Sequence, residues 1–138
     1  MTNTGNQVVR PLHSKSRTDM NRPLEFRAWN PLGNMTNPFT LGDKDTNISL
    51  IIENQWPIMQ FIGSLDRKGN KIFEDDIIAL YDFSGNEVDR FVVKYNLNSF
   101  GYYLVSDILE SDHPTHHWYT STLIEVIGDI HRNPELIK

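Results

Sequence analysis

Short runs of alternating apolar and polar residues, separated by tight turns, follow one another from residue 58 onward. The runs at residues 77–83, 88–95 and 100–105 have the period of two that is typical of β-strands with one buried face. Glycine, asparagine and aspartate fill the gaps between them and favour turns, because these residues accept left-handed backbone angles. This spacing predicts a mainly β protein with a small antiparallel barrel in its C-terminal part.

Two turn-like segments border the predicted barrel. Residues 74–76 are Glu-Asp-Asp, and we expect a turn in which a carboxylate accepts a hydrogen bond from a backbone N–H group. A divalent-cation site is the alternative, but three consecutive side chains do not point the same way. After a last alternating run at 123–130, Asn133 and Pro134 are typical of a helix start and predict one short helical turn.

The segment before residue 76 is less regular. Residues 24–29 alternate, which assigns Arg27 and Trp29 to one face. We expect this face to be exposed, and packing of the two side chains on the barrel is the alternative. A second β-like run occupies residues 48–53 and ends before Pro57. Arg27 and Trp29 are candidate binding residues, because arginine and tryptophan are favoured at the centres of interfaces.

The first 22 residues differ from the rest in charge. They carry a net charge of +3, whereas residues 23–138 carry −8 within the total of −5. With few large apolar side chains they cannot offset their ordering entropy, so we expect a flexible basic arm at 1–22. Contact of this arm with phosphates is one hypothesis, which the acidic remainder of the chain opposes.

Composition excludes several classes of protein. The 138 residues contain no cysteine, which removes disulfide frameworks, thiolate nucleophiles and sulfur-ligated metals and favours a reducing compartment. The apolar runs are too short to span a bilayer, and no signal peptide is visible at the start. We therefore expect a soluble cytoplasmic protein that does not act at a membrane.

Histidines and tyrosines supply the remaining candidates. His113, His116 and His117 are weak candidates for a metal site, but Pro114 and polar neighbours predict a loop across 106–121 without a metal. Tyr81, Tyr102 and Tyr103 could stack bases or hold a peptide, although most aromatic side chains are expected in the core. Neither a phosphate-binding loop nor a nucleophile motif is found, so we expect no enzyme, cofactor or small-molecule substrate.

Three blocks of the sequence resemble the YopX family of phage and prophage proteins. They are Phe26-Arg27-Ala28-Trp29, the segment from Met59-Gln60-Phe61 to Asp75-Asp76-Ile77-Ile78, and the segment from Glu125-Val126-Ile127-Gly128-Asp129-Ile130-His131 to Leu136. The resemblance implies a β-rich protein of a bacterial host cell with an SH3-like barrel from about Asp76, and no established activity. It divides the chain into the arm, a strand-bearing segment at 23–75 and the barrel at 76–138.

Asp75 stands where family members usually have glycine. A non-glycine residue with positive φ is disfavoured, although aspartate is among those that tolerate it, so we expect the turn before the first barrel strand to differ from that of the family. The functional hypothesis is a non-catalytic module that binds a protein partner or associates with itself. A nucleic-acid-binding accessory protein, using the basic arm and the barrel aromatics, is the alternative. A metal-dependent hydrolase built on the histidines ranks last.

Overall fold

The computed structural model describes the backbone of residues 24–96, 101–106, 111–114 and 123–137, and the side chains of 24–95 and 123–137. The predicted arm, His116 and His117 lie outside the described residues. The strands in chain order are β1 (Phe26–Asn30), β2 (Asn34–Met35), β3 (Ile58–Leu65), β4 (Lys71–Phe73), β5 (Asp76–Tyr81), β6 (Glu87–Asn96), β7 (Gly101–Ser106), β8 (Ser111–Pro114) and β9 (Ile124–Asp129). Helix α1 (Ile48–Glu53) precedes β3, and a 3₁₀ helix (Pro134–Ile137) ends the described chain. The mainly β prediction and the C-terminal helical turn are confirmed.

Five strands form an antiparallel sheet in the order β9-β5-β6-β7-β8. Its buried face carries the largest apolar cluster, in which residues of this sheet pack with Ile62 and Ile72 of the preceding segment. The described core thus crosses the boundary expected between residues 75 and 76. That division, and the SH3-like form of the barrel, stay predictions.

Strand β5 is buried on both faces, contrary to the one buried face that its alternation predicts. Ile77 and Ala79 are fully buried on the face opposite Ile78. The 3₁₀ helix lies against β6, where Arg90 Nη1 donates a 2.8 Å hydrogen bond to the carbonyl oxygen of Leu136. The chain end therefore helps to cover the second face of this sheet.

The other sheet has the order β2-β1-β3-β4. On one face Ala28 packs with Phe39 and Ile51, and on the other Met59, Phe61 and Phe73 pack beside Trp29 and Met35. The expectation that Arg27 and Trp29 lie on an exposed face is therefore wrong. Arg27 is 8% exposed and Trp29 is half-buried, because the rest of the molecule covers this face.

Residues 48–53 form a helix, and the predicted strand there is wrong. Asn47 caps its start, since its side chain accepts a 3.0 Å hydrogen bond from Leu50 N–H. Ile48 and Ile51, three residues apart, share the helix face that meets the core beneath β1. A six-residue apolar run does not distinguish helix from strand, and burial decides here against the β preference of isoleucine.

Two further features differ from or extend the predictions. Strand β8 lies within the segment expected to be a polar loop, and its His113 pairs with Leu104 of β7. The turn after β3 reaches the free edge of β9, where Arg67 N–H donates to the carbonyl oxygen of Ile124 at 3.0 Å. None of the helices in the described part of the chain has the length and hydrophobicity that crossing a membrane requires.

Candidate functional site

The densest group of buried charges lies where the two sheets meet. Arg27 of β1 forms an ion pair with Asp76 at the start of β5, and Asp129 at the end of β9 is also close enough to affect both. Asp76 and Asp129 are 1% and 0% exposed. We call these three residues, together with Asp75, His131 and Arg132, the interface ion cluster.

Asp76 is held by both of its oxygens. Oδ1 accepts from Arg27, and Oδ2 accepts a 2.8 Å hydrogen bond from the N–H of Phe73, which closes the turn between β4 and β5. Burial raises the pKa of Asp76 to about 6, and Asp129 adds to this rise, although Arg27 and the Phe73 N–H act against it. The guanidinium of Arg27 also lies over the ring of Phe73, 4.6 Å from its centre.

Asp129 receives more hydrogen bonds than Asp76. Its Oδ1 accepts from the N–H groups of His131 and Arg132 at 3.0 and 2.8 Å, and Oδ2 accepts from Arg132 Nε at 2.7 Å. Burial acts to raise the pKa of Asp129, but the hydrogen bonds and the charges of Arg132 and Arg27 outweigh it and lower the pKa. Asp129 therefore caps the turn that follows β9.

Asp75 connects this turn to the rest of the cluster. It adopts φ = 69°, so the aspartate takes up the left-handed conformation that it tolerates. Its N–H donates to the carbonyl oxygen of Val93 at 2.8 Å, and its carbonyl oxygen accepts from Ile130 N–H at 3.0 Å. Its carboxylate accepts from Lys94 Nζ at 2.9 Å and lies 2.9 Å from Nε2 of His131.

Two more contacts complete the site. The ring of His131 stacks on Trp29, with ring centres 5.7 Å apart. Glu74 Oε1 accepts a 2.8 Å hydrogen bond from Gln60 N–H; burial raises the pKa of Glu74, with the Asp75 charge adding to it and Gln60 opposing it. The predicted acidic turn, with carboxylates bound to backbone N–H groups, is thus confirmed for Glu74 and Asp76.

This arrangement joins the two sheets at their junction. Its carboxylates are occupied by cations and backbone N–H groups of the same chain, which leaves little capacity to bind a substrate. Within the described ranges, no group of three or more histidine, aspartate and glutamate side chains could hold a metal ion. We interpret the interface ion cluster as a structural connection.

The candidate binding residues are not brought together. Arg27 belongs to the interface ion cluster through its pairing with Asp76, the first residue of β5, and Trp29 lies beside the cluster, stacked on His131. Tyr81 is the last residue of β5, at the other end of that strand. The guanidinium of Arg67 covers the ring of Tyr81 at 4.1 Å and also binds Glu125 at 2.9 Å. Tyr102 and Tyr103 lie in β7, opposite Tyr95 and Lys94, and their side chains, like that of His113, lie outside the described part.

Asp129 and His131 were not predicted to be members of a site. Alternation assigned Asp129 to a polar face, yet a bulge between Val126 and Gly128 alters the register and Asp129 is fully buried. A usable signal was present in Arg27, because an arginine in a strand next to a core requires a buried carboxylate partner.

Two turns hold large apolar side chains in solvent. Phe83 is 94% exposed in the turn between β5 and β6, and Leu32 is 89% exposed in the turn between β1 and β2. Asp82 Oδ1 accepts from Ser84 and Asn86 N–H groups, both at 2.9 Å. Asn30 Oδ1 fixes the other turn by accepting from Leu32 N–H at 2.9 Å.

A cleft of about 270 Å³ opens beside α1. Its apolar wall consists of Leu50, Ile51 and Trp56. Its polar lining consists of Thr36, Asn37, Asp45, Thr46 and Asn47. Leu50 is 42% exposed, so apolar surface in this cleft remains open to solvent.

Similarity to known proteins shows to which family this chain belongs. The family model of the YopX protein matches residues 33–138, which includes two of the three sequence blocks. Among solved structures, the chain is similar to the crystal structure of protein EF1440 from Enterococcus faecalis. That similarity has 22% sequence identity and a TM-score of 0.42, and covers 87% of this chain and 83% of the other. No curated protein matches the chain. The match over residues 33–138 shows that the chain belongs to the YopX family.

Proposed function

We propose that this chain is a non-catalytic module that binds protein surfaces, including a second copy of itself. The observation that carries the proposal is the exposure of Phe83 and Leu32, at 94% and 89%, on turns that hydrogen bonds hold in place. Neither side chain contributes to the described core. A partner that buries them gains the apolar contact that folding leaves unused.

The hydrogen-bonded turns distinguish Phe83 and Leu32 from apolar side chains that are exposed on the surface without a function. A single exposed leucine or phenylalanine is ordinary in a folded protein. Here, however, Asp82 and Asn30 order the backbone in the free chain, so binding would not have to order it again. Preorganised groups bind with a smaller entropic cost, which favours a contact function for both turns.

The interface ion cluster supports the non-catalytic part of the proposal. Asp76 and Asp129 are both buried, and their carboxylates accept hydrogen bonds from Arg27, Arg132 and backbone N–H groups. A general acid or base must reach the proton that it transfers. Carboxylates closed off in this way suit a structural role.

Nucleic-acid binding is the alternative, and the described surface favours it less. Tyr81, a candidate for base stacking, has one ring face covered by Arg67, whose charge is in turn bound to Glu125. The chain carries a net charge of −5, which opposes binding to phosphates. A steep loss of affinity with salt would be the signature of this alternative.

The test combines capture with a matched set of variants. The purified chain and its Leu32→Ser/Phe83→Ser variant are used as bait in bacterial extract, with and without nuclease treatment. Leu41→Ser is the control, because Leu41 is 68% exposed in a loop outside both turns. After nuclease treatment, we expect the wild type and Leu41→Ser to retain a protein from the extract, or a differently tagged copy of the chain that has been added. We expect the double variant to retain neither. Loss of all capture after nuclease would favour nucleic acid instead.

A further inference from the structure

We propose that residues 8–12 of this chain dock in its own cleft beside α1. Arg10 pairs with the carboxylate of Asp45, and the apolar side chains on either side of Arg10 cover Leu50 and Trp56. The inference goes beyond the proposed function, because the surface that it concerns is separate from the two turns of that proposal. It makes the N-terminal arm a ligand of its own fold.

The cleft has a preformed apolar wall that the described chain leaves open. Its volume is about 270 Å³, below the roughly 300–1,000 Å³ of clefts that enclose drug-sized ligands, so it suits one or two side chains. Leu50 is 42% exposed, whereas Ile51 is buried. Hydrogen bonds hold the wall in place: Leu50 N–H donates to Oδ1 of Asn47 at 3.0 Å, and Trp56 N–H donates to Ile51 O at 3.1 Å. An apolar segment that removes this wall from water gains free energy.

The surroundings of the cleft are acidic. Residues 36–56 contain one cation, Lys44, and three carboxylates, those of Asp43, Asp45 and Glu53. Asp45 lines the cleft and is exposed. Its N–H donates to Oδ1 of Asp43 at 2.9 Å, but among the residues that the structure describes no cation or hydrogen-bond donor meets its carboxylate. This carboxylate therefore has the capacity to accept a charge-assisted hydrogen bond from a segment that docks there.

The N-terminal arm has the charge and the side chains that suit this cleft. Residues 1–22 carry a net charge of +3, whereas residues 23–138 carry −8. Residues 8–12 are Val-Val-Arg-Pro-Leu, and Arg10 is the one cation of the arm with apolar neighbours on both sides. The acidic remainder of a second copy would be repelled by the carboxylates around the cleft, so charge favours the arm as the occupant.

The point of attachment brings the arm close to the cleft. The described chain begins at Leu24, and two residues later Phe26 packs against the same apolar cluster as Trp56. Residues 13–23 link the docking segment to this point and span at most about 40 Å when extended, more than the roughly 30 Å diameter of a small domain. A segment tethered in this way has an effective concentration on the order of millimolar at the cleft. A weak contact is therefore enough to keep much of the chain docked.

Docking has consequences for what the arm and the cleft can bind. The guanidinium of Arg10 is withheld from phosphates while it pairs with Asp45, so the contact opposes nucleic-acid binding by the arm. A partner that uses the cleft has to displace residues 8–12 first, which makes the contact autoinhibitory. Salt screens the charge pair, and we expect the docked fraction to fall as the ionic strength rises.

Paramagnetic relaxation enhancement measures the docked fraction in the full chain. The chain contains no cysteine, so a nitroxide attached through Gln7→Cys is the single label. In a ¹⁵N-labelled chain we expect this label to broaden the backbone amide signal of Leu50 and the indole N–H signal of Trp56. The amide signal of Phe83, in a hairpin of the five-stranded sheet, should stay sharp. A mixture of ¹⁵N-labelled chain without nitroxide and unlabelled chain with it should show no broadening, because the contact lies within one copy.

Charge variants test the pairing of Arg10 with Asp45. Arg10→Glu should reduce the broadening at Trp56, to an extent that corresponds to an about fivefold lower ratio of docked to undocked chain. Arg10→Glu/Asp45→Lys should restore the broadening, since the two charges are exchanged. Arg17→Glu is the matched control: it makes the same change of charge in the arm, outside residues 8–12, and should dock like the unchanged chain.

Four outcomes would overturn the inference. They are cleft signals that are broadened no more than that of Phe83, broadening that is equally strong in the mixed sample, an exchanged charge pair that does not restore docking, and an Arg17→Glu variant that loses as much broadening as Arg10→Glu. The proposed function would survive each of them, because its capture test depends on Leu32 and Phe83.

Discussion

The burial of the Asp76 carboxylate predicts how the free energy of unfolding depends on pH. In the folded chain its pKa is raised to about 6 from the ordinary 3.8, chiefly by burial. The carboxyl group therefore holds its proton more tightly in the folded than in the unfolded chain. Its contribution to stability is complete below about pH 3.8 and is lost as the pH rises through about 6.

The magnitude follows from the same values. A rise from 3.8 to about 6 corresponds to about 3 kcal/mol, at about 1.4 kcal/mol per pKa unit. Asp129 and Asp66 have the opposite effect on the pH dependence of stability, because their pKa values are lowered in the folded chain. Their contributions are present at pH values above the pKa of the unfolded chain and are lost as the pH falls. The pH profile of the wild type alone would mix these contributions, so a variant must isolate Asp76.

Asp76→Asn isolates this carboxyl group when urea unfolding of both chains is followed by tryptophan fluorescence across the pH range. We expect the free energy of unfolding of the wild type, minus that of Asp76→Asn, to fall by about 3 kcal/mol between about pH 3 and about pH 7. Asp129→Asn is the control, and its difference should rise over the acidic part of the range. If the difference for Asp76 stays constant or rises with pH, the pKa of Asp76 is not raised, and the Arg27 charge outweighs burial.

Three further predictions concern the same framework. Arg27→Met should lower the free energy of unfolding by about 3–5 kcal/mol, because it leaves Asp76 buried without its cation. In urea titrations, the double variant Arg27→Met/Asp76→Asn should lose less free energy of unfolding than the sum of the losses of the two single variants. Gly128→Ala should lower the melting temperature, because the new Cβ would lie 2.6 Å from Oδ1 of Asn133. Gly42→Ala is the control: its new Cβ would have no atom within 4 Å, and the melting temperature should stay unchanged. Asn47→Ala should cost about 1 kcal/mol by loss of the α1 cap; an unchanged denaturation midpoint would mean that α1 does not contribute to the cooperative fold.

The strands of the five-stranded sheet could be predicted because their signals are local. Alternation at 77–83 and 88–95 and the turn residues at 84–86 specify a hairpin whatever packs against it. The glycine that relatives usually have at position 75 marked a place where positive φ is needed, but it did not indicate that an aspartate there would adopt this φ. What alternation does not report is whether the polar face is covered as well.

Non-local packing explains the errors. Arg27 and Trp29 do share one face, as their spacing predicts, but that face is buried by Asp76, 49 residues further along the chain, and by His131. The helix at 48–53 was missed because only contacts with Ala28 and Phe39 distinguish it from a strand. Such contacts become visible only when separate parts of the chain are placed together.

The interface ion cluster gives the resemblance blocks a physical meaning. The block at 26–29 contributes Arg27 and Trp29, the second block contributes Asp75 and Asp76, and the third contributes His131, so that all three meet at one junction. Sequence blocks that converge on buried ion pairs and stacked rings specify how the sheets are joined, and a partner has little access to them. Phe83 and the cleft beside α1 lie outside all three blocks. Because Phe83 lies outside the described core, we expect the proposed protein contact at this side chain and not at the junction.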